Sequence, residues 1–374
     1  MLPIELFNKE LPAIQSLLQD LVEIESPSND KAAVDRLGKR ILAELSQLDG
    51  AVEIIQQAGV GDQMLSRWGT GPDGILFLCH LDTVFDLGTL TRRPFRVVEN
   101  RLQGPGVQDM KAGIAMLLSV LRLLKQHGEW PHRPLAALFT SDEEIGSLAS
   151  RALIETEARK AGLVVCLEPA LANGALKTSR KGTGEIELQV KGVASHAGVD
   201  HSRGRNAIEE LAYHILAAQK LTDYARGTTV NVGVVSGGTR PNVVPDGARA
   251  LIDFRILTGE EFDRLEKWAQ GLSPHIDGTR ISATVTLNRP PMPRDETMIR
   301  TFHKAQAIGR ALGLDLQEGS TGGGSDANFV APLGVPILDG LGAVGDGAHS
   351  EREYILTQSL AERSALLAAL VTRW

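Results

Sequence analysis

Continuous runs of apolar residues recur in the first half of the chain, at positions 75–79, 135–139 and 163–167. They lack the alternation of a strand with one face in water and are typical of buried strands in a mostly parallel sheet. Positions 112–124 are apolar nearly all round, which predicts a deeply buried helix. An amphipathic first helix is predicted by apolar residues at helical spacing, namely Phe7, Leu11, Ile14, Leu18 and Leu21.

The pattern changes near Lys181, and positions 185–191 alternate strictly between polar and apolar residues. That alternation predicts a strand in a sheet with one wet face. The next segments predict a helix, two strands, a helix and a strand, at 206–220, 229–235, 248–256, 260–272 and 281–287. The resulting β-α-β-β-α-β order is that of a split ferredoxin-like unit.

The proline-rich segment 288–293 is typical of a linker, and helix and strand patterns resume after it. We therefore predict an α/β protein whose larger domain is a mostly parallel mixed sheet flanked by helices. This domain is expected to be discontinuous, covering residues 1–179 and 290–374. A smaller ferredoxin-like α+β domain is expected as an insertion at 180–289.

Composition narrows the possible partners and the cellular location. The 374 residues favour more than one domain, and 43% hydrophobic residues suffice for packed cores. Acidic residues exceed basic ones, 46 against 39, so a nucleic-acid partner is not expected. No apolar stretch is long enough to span a membrane. The N-terminal residues lack a secretory pattern, and Cys79 and Cys166 fall inside predicted strands, which favours a cytoplasmic protein without disulfides.

Polar residues with catalytic potential follow each predicted parallel strand. His80 and Asp82 follow the first strand, Glu143 and Glu144 the second, and Glu168 the third. Ligands of α/β sheets collect at the carboxyl ends of the strands, so we expect these side chains to converge. His80 and Asp82 are two positions apart and face the same side of an extended chain. A metal-binding histidine usually donates its other ring N–H to such a carboxylate.

Two more motifs complete the inventory. Asp109 lies in a glycine-rich turn, 104–111, just before the buried helix, and His349 lies in a polar loop, 347–351. Two histidines and several acids are the ligands that a pair of zinc-like ions requires, and one carboxylate remains to transfer a proton. This set points to a two-metal hydrolase.

Each motif also has a purely structural interpretation when it is taken alone. His80 is compatible with a strand-end cap, Asp109 with a helix N-cap, and the acids at 143–144 with a solvated surface. Glu168 is harder to explain in this way, because burying a carboxylate without a partner is costly.

The complete ordered set of motifs extends over nearly the whole chain, at 80–84, 104–111, 140–147, 168–169, 194–198, 322–327 and 347–350. It resembles the zinc-dependent exopeptidases and deacylases that include glutamate carboxypeptidase, acetylornithine deacetylase and succinyl-diaminopimelate desuccinylase. The glutamate carboxypeptidase branch is the most similar. The resemblance implies a zinc-exopeptidase-like fold.

The resemblance implies a role for each metal ligand. Asp109 would bridge two divalent ions, which the resemblance identifies as Zn²⁺. His80 and Glu168 would complete the site of one ion, and Glu144 and His349 that of the other. Imidazole and carboxylate ligands by themselves suit several divalent ions.

The same resemblance implies that Glu143 is the general base and that Asp82 orients His80. Relatives carry a cis peptide after the bridging acid, so one is expected at Asp109–Met110. The residue before His80 is Cys79, where relatives often have glycine. Because neighbouring strand residues face opposite ways, Cys79 is expected to pack into the sheet.

In the smaller domain a lone histidine is usually structural, and an arginine on a wet strand face is normally solvated or paired. The resemblance nevertheless implies that His196, supplied by a second subunit, stabilises the oxyanion, and that the domain is both a lid and the surface of a homodimer. The residues expected to hold a substrate carboxylate are Asn242, Arg255, Gly323, Gly324 and Ser325.

The implied function is a di-zinc metallo-carboxypeptidase or amidohydrolase. It would cleave an amide or peptide bond next to a free carboxylate in a small molecule or peptide. An N-acyl amino acid deacylase, similar to acetylornithine deacetylase, or a dipeptidase would use the same metal site. The remaining alternative is a non-catalytic dimer that only binds metal or an amino-acid derivative, and the presence of Glu143 beside Glu144 argues against it.

Overall fold

The computed structural model describes residues 2–374. The helices of this part of the chain are α1 (Ile4–Val22), α2 (Lys31–Leu45), α3 (Thr89–Arg92), α4 (Ala112–Gln126), α5 (Arg151–Ala158), α6 (Ala207–Gln219), α7 (Gly259–Gln270), α8 (Glu296–Arg310), α9 (Ala327–Val330) and α10 (Thr357–Arg373).

The strands are β1 (Ala51–Ile55), β2 (Gln63–Trp68), β3 (Gly74–His80), β4 (Arg96–Val98), β5 (Arg101–Gln103), β6 (Leu135–Thr140), β7 (Ala161–Cys166), β8 (Leu176–Arg180), β9 (Gly182–Lys191), β10 (Ser195–His196), β11 (Thr229–Gly237), β12 (Val243–Val244), β13 (Gly247–Ile256), β14 (Arg280–Arg289), β15 (Glu318–Thr321), β16 (Ile337–Asp339), β17 (Gly345–Asp346) and β18 (Tyr354–Leu356).

The principal sheet has the strand order β1-β2-β6-β3-β7-β16. Its β3 strand is parallel to both β6 and β7, and β16 is parallel to β7. The β1 and β2 strands add an antiparallel edge. The three continuous apolar runs are therefore neighbouring strands of a mostly parallel mixed sheet, which confirms the predicted fold class.

Helices cover this sheet as their apolar patterns indicate. Helix α1 confirms the predicted amphipathic helix and packs against α4 and α10. Most of α4 is buried, including both Leu117 and Leu121, as expected for a helix that is apolar nearly all round. The core of the sheet includes Phe77 and Phe139, which are completely buried.

One glycine of α4 allows the helix to approach the sheet closely. A Cβ at Gly113 would lie 2.2 Å from the carbonyl oxygen of Leu167, immediately after β7. Only a residue without a side chain fits at that distance. The identity of Gly113 therefore fixes the distance between α4 and the chain that leads into Glu168.

Two compact units are distinguished by the contacts within residues 2–374. The main unit comprises the chain up to Ser179 together with Arg294–Ser320 and Ser325–Trp374. The inserted unit comprises Arg180–Pro293 and Thr321–Gly324. The inserted unit thus includes a short part of the glycine-rich motif at 322–327, which the sequence assigned wholly to the larger domain.

The inserted unit contains the antiparallel sheet β11-β13-β9-β14. Helices α6 and α7 pack on it, with Leu211 and Leu265 buried against Ile252 and Phe254. The long elements follow the predicted β-α-β-β-α-β order, while the short pair β10 and β12 was not predicted. Strand β14 continues to pair with β9 as far as Arg289, after a register shift that follows Leu287. The predicted linker, 288–293, therefore overlaps the end of this strand.

No helix in residues 2–374 combines the length and apolar character needed to cross a membrane.

Candidate active site

Five side chains of the main unit meet in two groups that share one carboxylate. His80, Asp109 and Glu168 form the first group, and Asp109, Glu144 and His349 form the second. Within each group the ligand atoms lie within 4.8 Å of one another. These are the five side chains that the sequence singled out, grouped in the two sets that the resemblance implies, and their role as metal ligands stays a prediction.

Asp109 presents one oxygen to each group. Its Oδ1 lies 3.0 Å from Nε2 of His80, and its Oδ2 lies 3.2 Å from Nε2 of His349. The remaining acids lie beside the same imidazole atoms, with Glu168 Oε1 3.4 Å from His80 and Glu144 Oε2 3.0 Å from His349. A carboxylate that faces two sites with separate oxygens has the arrangement of a bridging metal ligand.

Parallel strand pairing brings the first group together. His80 ends β3, and Glu168 lies two residues beyond the end of the adjacent strand β7. Both side chains are buried. Thr140, the partner of His80 in the parallel ladder, ends β6, and Glu143 and Glu144 follow in a short 3₁₀ turn, Glu143–Ile145. The sheet thus delivers ligands from three neighbouring strands to one edge.

The other two ligands come from turns outside the principal sheet. Asp109 lies in the wide turn Val107–Lys111 before α4, and the Asp109–Met110 peptide is cis, as expected. His349 lies between β17 and β18, which belong to a small sheet with β5 and β4. Its backbone adopts a left-handed conformation with φ 62°. The site therefore depends on turn conformations that a pattern of apolar residues does not specify.

Asp82 links His80 to the pair of acids. The Nδ1 atom of His80 donates to the backbone carbonyl of Asp82 over 3.0 Å, and an Asp82 carboxylate oxygen lies 3.5 Å away. The Asp82 carboxylate accepts hydrogen bonds from the backbone N–H groups of Glu143 and Glu144, at 3.2 and 3.1 Å, and from the hydroxyl of Ser28, at 2.7 Å. Because a carbonyl oxygen only accepts, the proton is held on Nδ1, and Nε2 is the atom that faces Asp109 and Glu168.

Glu353 organises the Asp109 turn and was not identified from the sequence. Its buried carboxylate accepts hydrogen bonds from the backbone N–H groups of Gly106, Gln108 and Asp109, at 2.9, 2.8 and 3.0 Å. Burial raises its pKa to about 7, although these hydrogen bonds oppose the rise. Arg93 lies 3.8 Å from the carboxylate and donates to the carbonyl of Glu353 and, over 3.3 Å, to that of Ser350. The sequence signal was an acid four positions after His349, directly before β18.

The turn that carries Glu143 and Glu144 is held by hydrogen bonds to two further carboxylates, those of Asp142 and Asp326. The Asp142 carboxylate accepts from the backbone N–H of Ala149 over 2.7 Å and from the hydroxyl of Ser150 over 2.6 Å. Asp326 accepts from the hydroxyls of Thr140 and Ser147. Asp326 belongs to the glycine-rich motif at 322–327, so part of that motif supports the acidic turn.

The electrostatics of the two groups favour positive charge between the carboxylates. Hydrogen bonds to Asp109 and Glu144 raise the pKa of His349 to about 11. Burial alone would lower the pKa of His80, but Asp109, Asp82 and Glu168 outweigh it and raise that pKa. Burial would raise the pKa of Asp109, yet the two imidazoles hold it well below its ordinary value. Cations placed between these groups would satisfy the same carboxylates.

The residues present fit a pair of divalent metal ions. Two imidazoles and three carboxylates, one of them shared, are a donor set suited to zinc-like ions. Among the described residues, Glu144 Oε1 is a buried oxygen with no hydrogen-bond partner. Burying a carboxylate oxygen without a partner is unfavourable, and metal coordination would satisfy it.

Cys79 packs as expected. Its thiol is buried in the core that includes Phe77 and Phe139, and burial raises its pKa. A protonated thiol facing the core, on the opposite side of the strand from His80, has no role in the ligand set.

Two of the residues expected to act on the substrate, His196 and Asn242, lie next to each other in the inserted unit. His196 is exposed, and its Nδ1 accepts from the backbone N–H groups of Gly198 and Val199, at 3.1 and 3.2 Å. The ring proton therefore lies on Nε2, which leaves an N–H donor. Asn242 is exposed and lies close to His196. Its backbone carbonyl accepts a hydrogen bond from the N–H of Ala197, and His196 pairs with Val243 in the β10–β12 ladder.

Arg255 is not solvated alone but paired. Its guanidinium makes two hydrogen bonds with the Asp253 carboxylate, at 2.9 and 3.0 Å. Arg180 donates to the carbonyls of Gly323 and Gly324, at 3.3 and 3.1 Å, and so holds the glycine-rich loop. Ser325 belongs to the main unit, where it is buried and its N–H donates to the side chain of Asn328.

Comparison with known proteins gives a family and a fold. The profile of the peptidase family M20/M25/M40 matches residues 76–373. Carboxypeptidase G2 of Pseudomonas sp. (strain RS-16) is 34% identical to this chain, over 97% of it and 89% of the relative. Acetylornithine deacetylase of Edwardsiella ictaluri is 27% identical, over 97% and 98%. The M20 family metallo-carboxypeptidase Sso-CP2 of Sulfolobus solfataricus has the same fold, with a TM-score of 0.74, 17% identity and coverage of 96% and 99%.

Proposed function

Because the chain belongs to peptidase family M20/M25/M40, we propose that it is a di-metal hydrolase that cleaves an amide or peptide bond next to a free carboxylate. The observation that carries this proposal is the pair of ligand groups sharing Asp109. Membership of the family shows that the chain is a hydrolase. The type of bond that it cleaves and the free carboxylate of its substrate are part of the proposal.

The proposed ligands are those described above: His80, Asp109 and Glu168 for one ion, and Asp109, Glu144 and His349 for the other. When bound, two divalent ions supply Lewis acidity toward the scissile carbonyl and lower the pKa of an attacking water. We propose Zn²⁺ as the native ion, because two imidazoles are unusual for magnesium or calcium sites.

Glu143 is proposed to transfer the proton. It neighbours Glu144 in the 3₁₀ turn, and hydrogen bonds from both backbone N–H groups to Asp82 fix that turn. The Glu143 carboxylate accepts a proton from water as the water oxygen bonds to the carbonyl carbon. It then returns this proton to the departing nitrogen as the C–N bond breaks. A general base of this kind contributes about 10²- to 10⁴-fold to the rate.

His196 is proposed to stabilise the oxyanion from a second subunit. Two backbone N–H groups hold its ring as the tautomer with a proton on Nε2. An N–H donor of fixed orientation suits the negative charge that develops on the carbonyl oxygen.

A homodimer through the inserted unit is part of this proposal. Strand β11 is an edge strand of its sheet, and both Val234 and Val235 are more than half exposed, at 55% and 54%. Leu216 and Tyr213 of the neighbouring helix α6 are also exposed, at 64% and 46%. An exposed edge strand with apolar side chains can pair with a second copy of itself.

We propose that the substrate carboxylate is bound by Asn242, Arg255 and the loop Gly323, Gly324 and Ser325. Because Arg255 is paired with Asp253, the substrate carboxylate would share or replace that partner. Carboxypeptidase G2, at 34% identity, supports a peptidase with a carboxylate-containing substrate. The second candidate is an N-acyl amino acid deacylase, which the similarity to acetylornithine deacetylase supports.

A substrate screen on metal-reconstituted protein tests the proposal. The protein is stripped with a chelator, reloaded with Zn²⁺, Co²⁺ or Mn²⁺, and assayed with acyl- and peptidyl-glutamates, N-acetyl amino acids including acetylornithine, and dipeptides. We expect hydrolysis only after reloading, with the highest kcat/KM for a substrate whose scissile amide adjoins a free carboxylate. Equal rates for substrates with that carboxylate amidated would contradict the proposed specificity, and turnover by stripped protein would contradict the metal mechanism.

A further inference from the structure

A second kind of ligand cluster lies wholly within the inserted unit. Glu210, His214 and His275 place ligand atoms within 4.8 Å of one another. Glu210 and His214 are one helical turn apart on α6, and His275 belongs to the segment between α7 and β14. Side chains four apart on a helix share one face, so a single residue from another segment completes a three-sided site.

The two imidazoles converge on one oxygen atom. Oε1 of Glu210 lies 2.7 Å from Nε2 of His214 and 3.3 Å from Nδ1 of His275. The two rings meet edge to face with their centres 4.8 Å apart. Each imidazole therefore turns a nitrogen, and not a carbon edge, toward the carboxylate.

Groups around the cluster hold the carboxylate in place. The backbone N–H of His275 donates to both oxygens of Glu210, at 2.9 Å to Oε1 and 3.0 Å to Oε2. Oε2 also accepts from the backbone N–H of Ile276, at 2.7 Å, and from the hydroxyl of Thr279, at 3.1 Å. Tyr213 stacks on the ring of His275 at 4.9 Å between centres. Such outer contacts orient the ligands of metal sites.

The three side chains of the cluster differ in their exposure to solvent. Glu210 and His214 are almost completely buried, whereas the His275 side chain is 49% exposed. An ion can therefore enter from the side of His275 and keep solvent as a further ligand.

We infer that Glu210, His214 and His275 form a third metal site, selective for a zinc-like transition-metal ion and separate from the catalytic pair. Two imidazole nitrogens and one carboxylate oxygen are ligands that zinc and cobalt accept and that calcium and magnesium do not favour. The ion joins α6 to the segment before β14, so its role is structural.

The alternative is a hydrogen-bonded cluster that only anchors this segment through the Glu210 carboxylate. The metal site and the hydrogen-bonded anchor differ in the atom of His275 that each requires. A purely structural anchor uses its backbone N–H, which a side-chain substitution retains, whereas a metal site requires its Nδ1.

The test counts metal ions in the full-length protein. Chelator-stripped wild-type protein and the His275→Gln variant are titrated with Co²⁺ and then with Zn²⁺, and bound ions are measured by equilibrium dialysis and by the visible absorption of Co²⁺. We expect three equivalents per chain for the wild type and two for His275→Gln, with at least a tenfold weaker third site. Hydrolase activity of the variant should be unchanged at saturating Zn²⁺.

Two further variants separate the sites. His127→Gln, an exposed histidine after α4, should retain three equivalents. His349→Ala removes a ligand of the catalytic pair but should retain the ion whose binding depends on His275. Equal metal content in wild type and His275→Gln, or the same loss in His127→Gln, would overturn the inference. Circular dichroism of each stripped variant checks that the fold is retained, and His214→Gln provides a second ligand variant.

Discussion

At the scale of single residues, the site combines side chains that bind with side chains that only position. Asp109 offers one oxygen to each histidine, while Glu353 and Asp82 act on backbone N–H groups of the turns that carry the acids. Substitutions of the two kinds should therefore have separable effects on turnover and on metal affinity.

Replacing Glu143 tests its assignment as the base. We expect Glu143→Ala to keep its metal content and to lose activity by about 10²- to 10⁴-fold or more, because only the proton acceptor is removed. Metal analysis and steady-state kinetics measure the two effects. Glu155→Ala, an exchange of an acid on α5, is the matched control and should leave both unchanged. Full turnover by Glu143→Ala would remove the base from the mechanism.

Replacing Glu353 tests a positioning role. The Glu353→Gln variant keeps the size of the side chain but replaces one carboxylate oxygen by an NH₂ group, which donates and cannot accept. The side chain can then no longer accept hydrogen bonds from all three backbone N–H groups of Gly106, Gln108 and Asp109. We expect about 10- to 100-fold weaker metal binding with the fold retained, as for other outer-shell changes. Titration of stripped protein with Zn²⁺ measures this change. The neighbouring exposed acid provides the control Glu351→Gln, and equal affinities for both variants would contradict the role.

At the scale of elements, the helices and strands bring the ligands within reach of one another. Parallel pairing of β3 with β6 and β7 puts three ligand-bearing chain segments at the same edge. The distance between α4 and the end of β7 depends on the missing side chain of Gly113.

A methyl group at Gly113 should disturb this distance. The Cβ of Gly113→Ala would meet the Leu167 carbonyl at 2.2 Å, so either α4 or the segment leading to Glu168 must move. We expect a loss of about 1–3 kcal/mol in the free energy of unfolding, as for other overpacked cores, together with reduced activity.

Gly38 of α2 provides a control at a helical glycine with room for a methyl group. Its Cβ would meet side-chain atoms no closer than 3.7 Å. We expect Gly38→Ala to be neutral or to stabilise by up to about 1 kcal/mol, because alanine favours the helix. Chemical denaturation of both variants gives the comparison, and equal stabilities would contradict the steric explanation.

In the inserted unit, Glu261 at the start of α7 should make stability depend on pH. Burial opposes ionisation of Glu261, but hydrogen bonds from Arg264, Thr228 and Arg226 outweigh it and lower its pKa to about 2. A carboxyl group with a lower pKa in the folded state stabilises the fold above its unfolded pKa, near 4.5. This stabilisation should decline as the pH falls from about 4.5 toward 2.

Denaturation of wild type and Glu261→Gln between pH 7 and pH 3 measures this contribution. We expect the difference in unfolding free energy to be largest near pH 7 and to shrink below about pH 4.5. A difference that stays constant over this range would show that the ionised state of Glu261 does not matter.

At the scale of the whole molecule, activity is expected to depend on assembly. If His196 acts from a second subunit, disrupting the exposed apolar surface of β11 and α6 should abolish turnover without touching the metal ligands. We expect Val234→Asp combined with Leu216→Glu to give monomers that bind metal normally and are nearly inactive. Analytical ultracentrifugation and kinetics measure these properties. Leu148→Glu, at an exposed leucine of the main unit, is the control, and a fully active monomer would exclude a partner histidine.

The sequence by itself determined the three parallel strands β3, β6 and β7, the buried helix α4 and the identities of the five side chains that cluster in the main unit. Periodicity reports which faces are buried, and burial is what pairs the apolar strands and brings their carboxyl ends to one edge. For this reason the sequence alone predicts that His80, Glu143 and Glu168 lie near one another. The pairing of Asp109 with His349 came from the resemblance of the ordered motifs.

Only the tertiary structure decided which buried groups hold those ligands. Glu353 and Ser28 are separated in the chain from the turns that they contact, and their hydrogen bonds depend on directions that no periodicity records. The same holds for Glu210 and His275, which are brought together by the packing of one helix against a distant segment. Hydrogen-bond geometry is set by the folded backbone in three dimensions, whereas the sequence pattern reports chiefly which side of each element is buried.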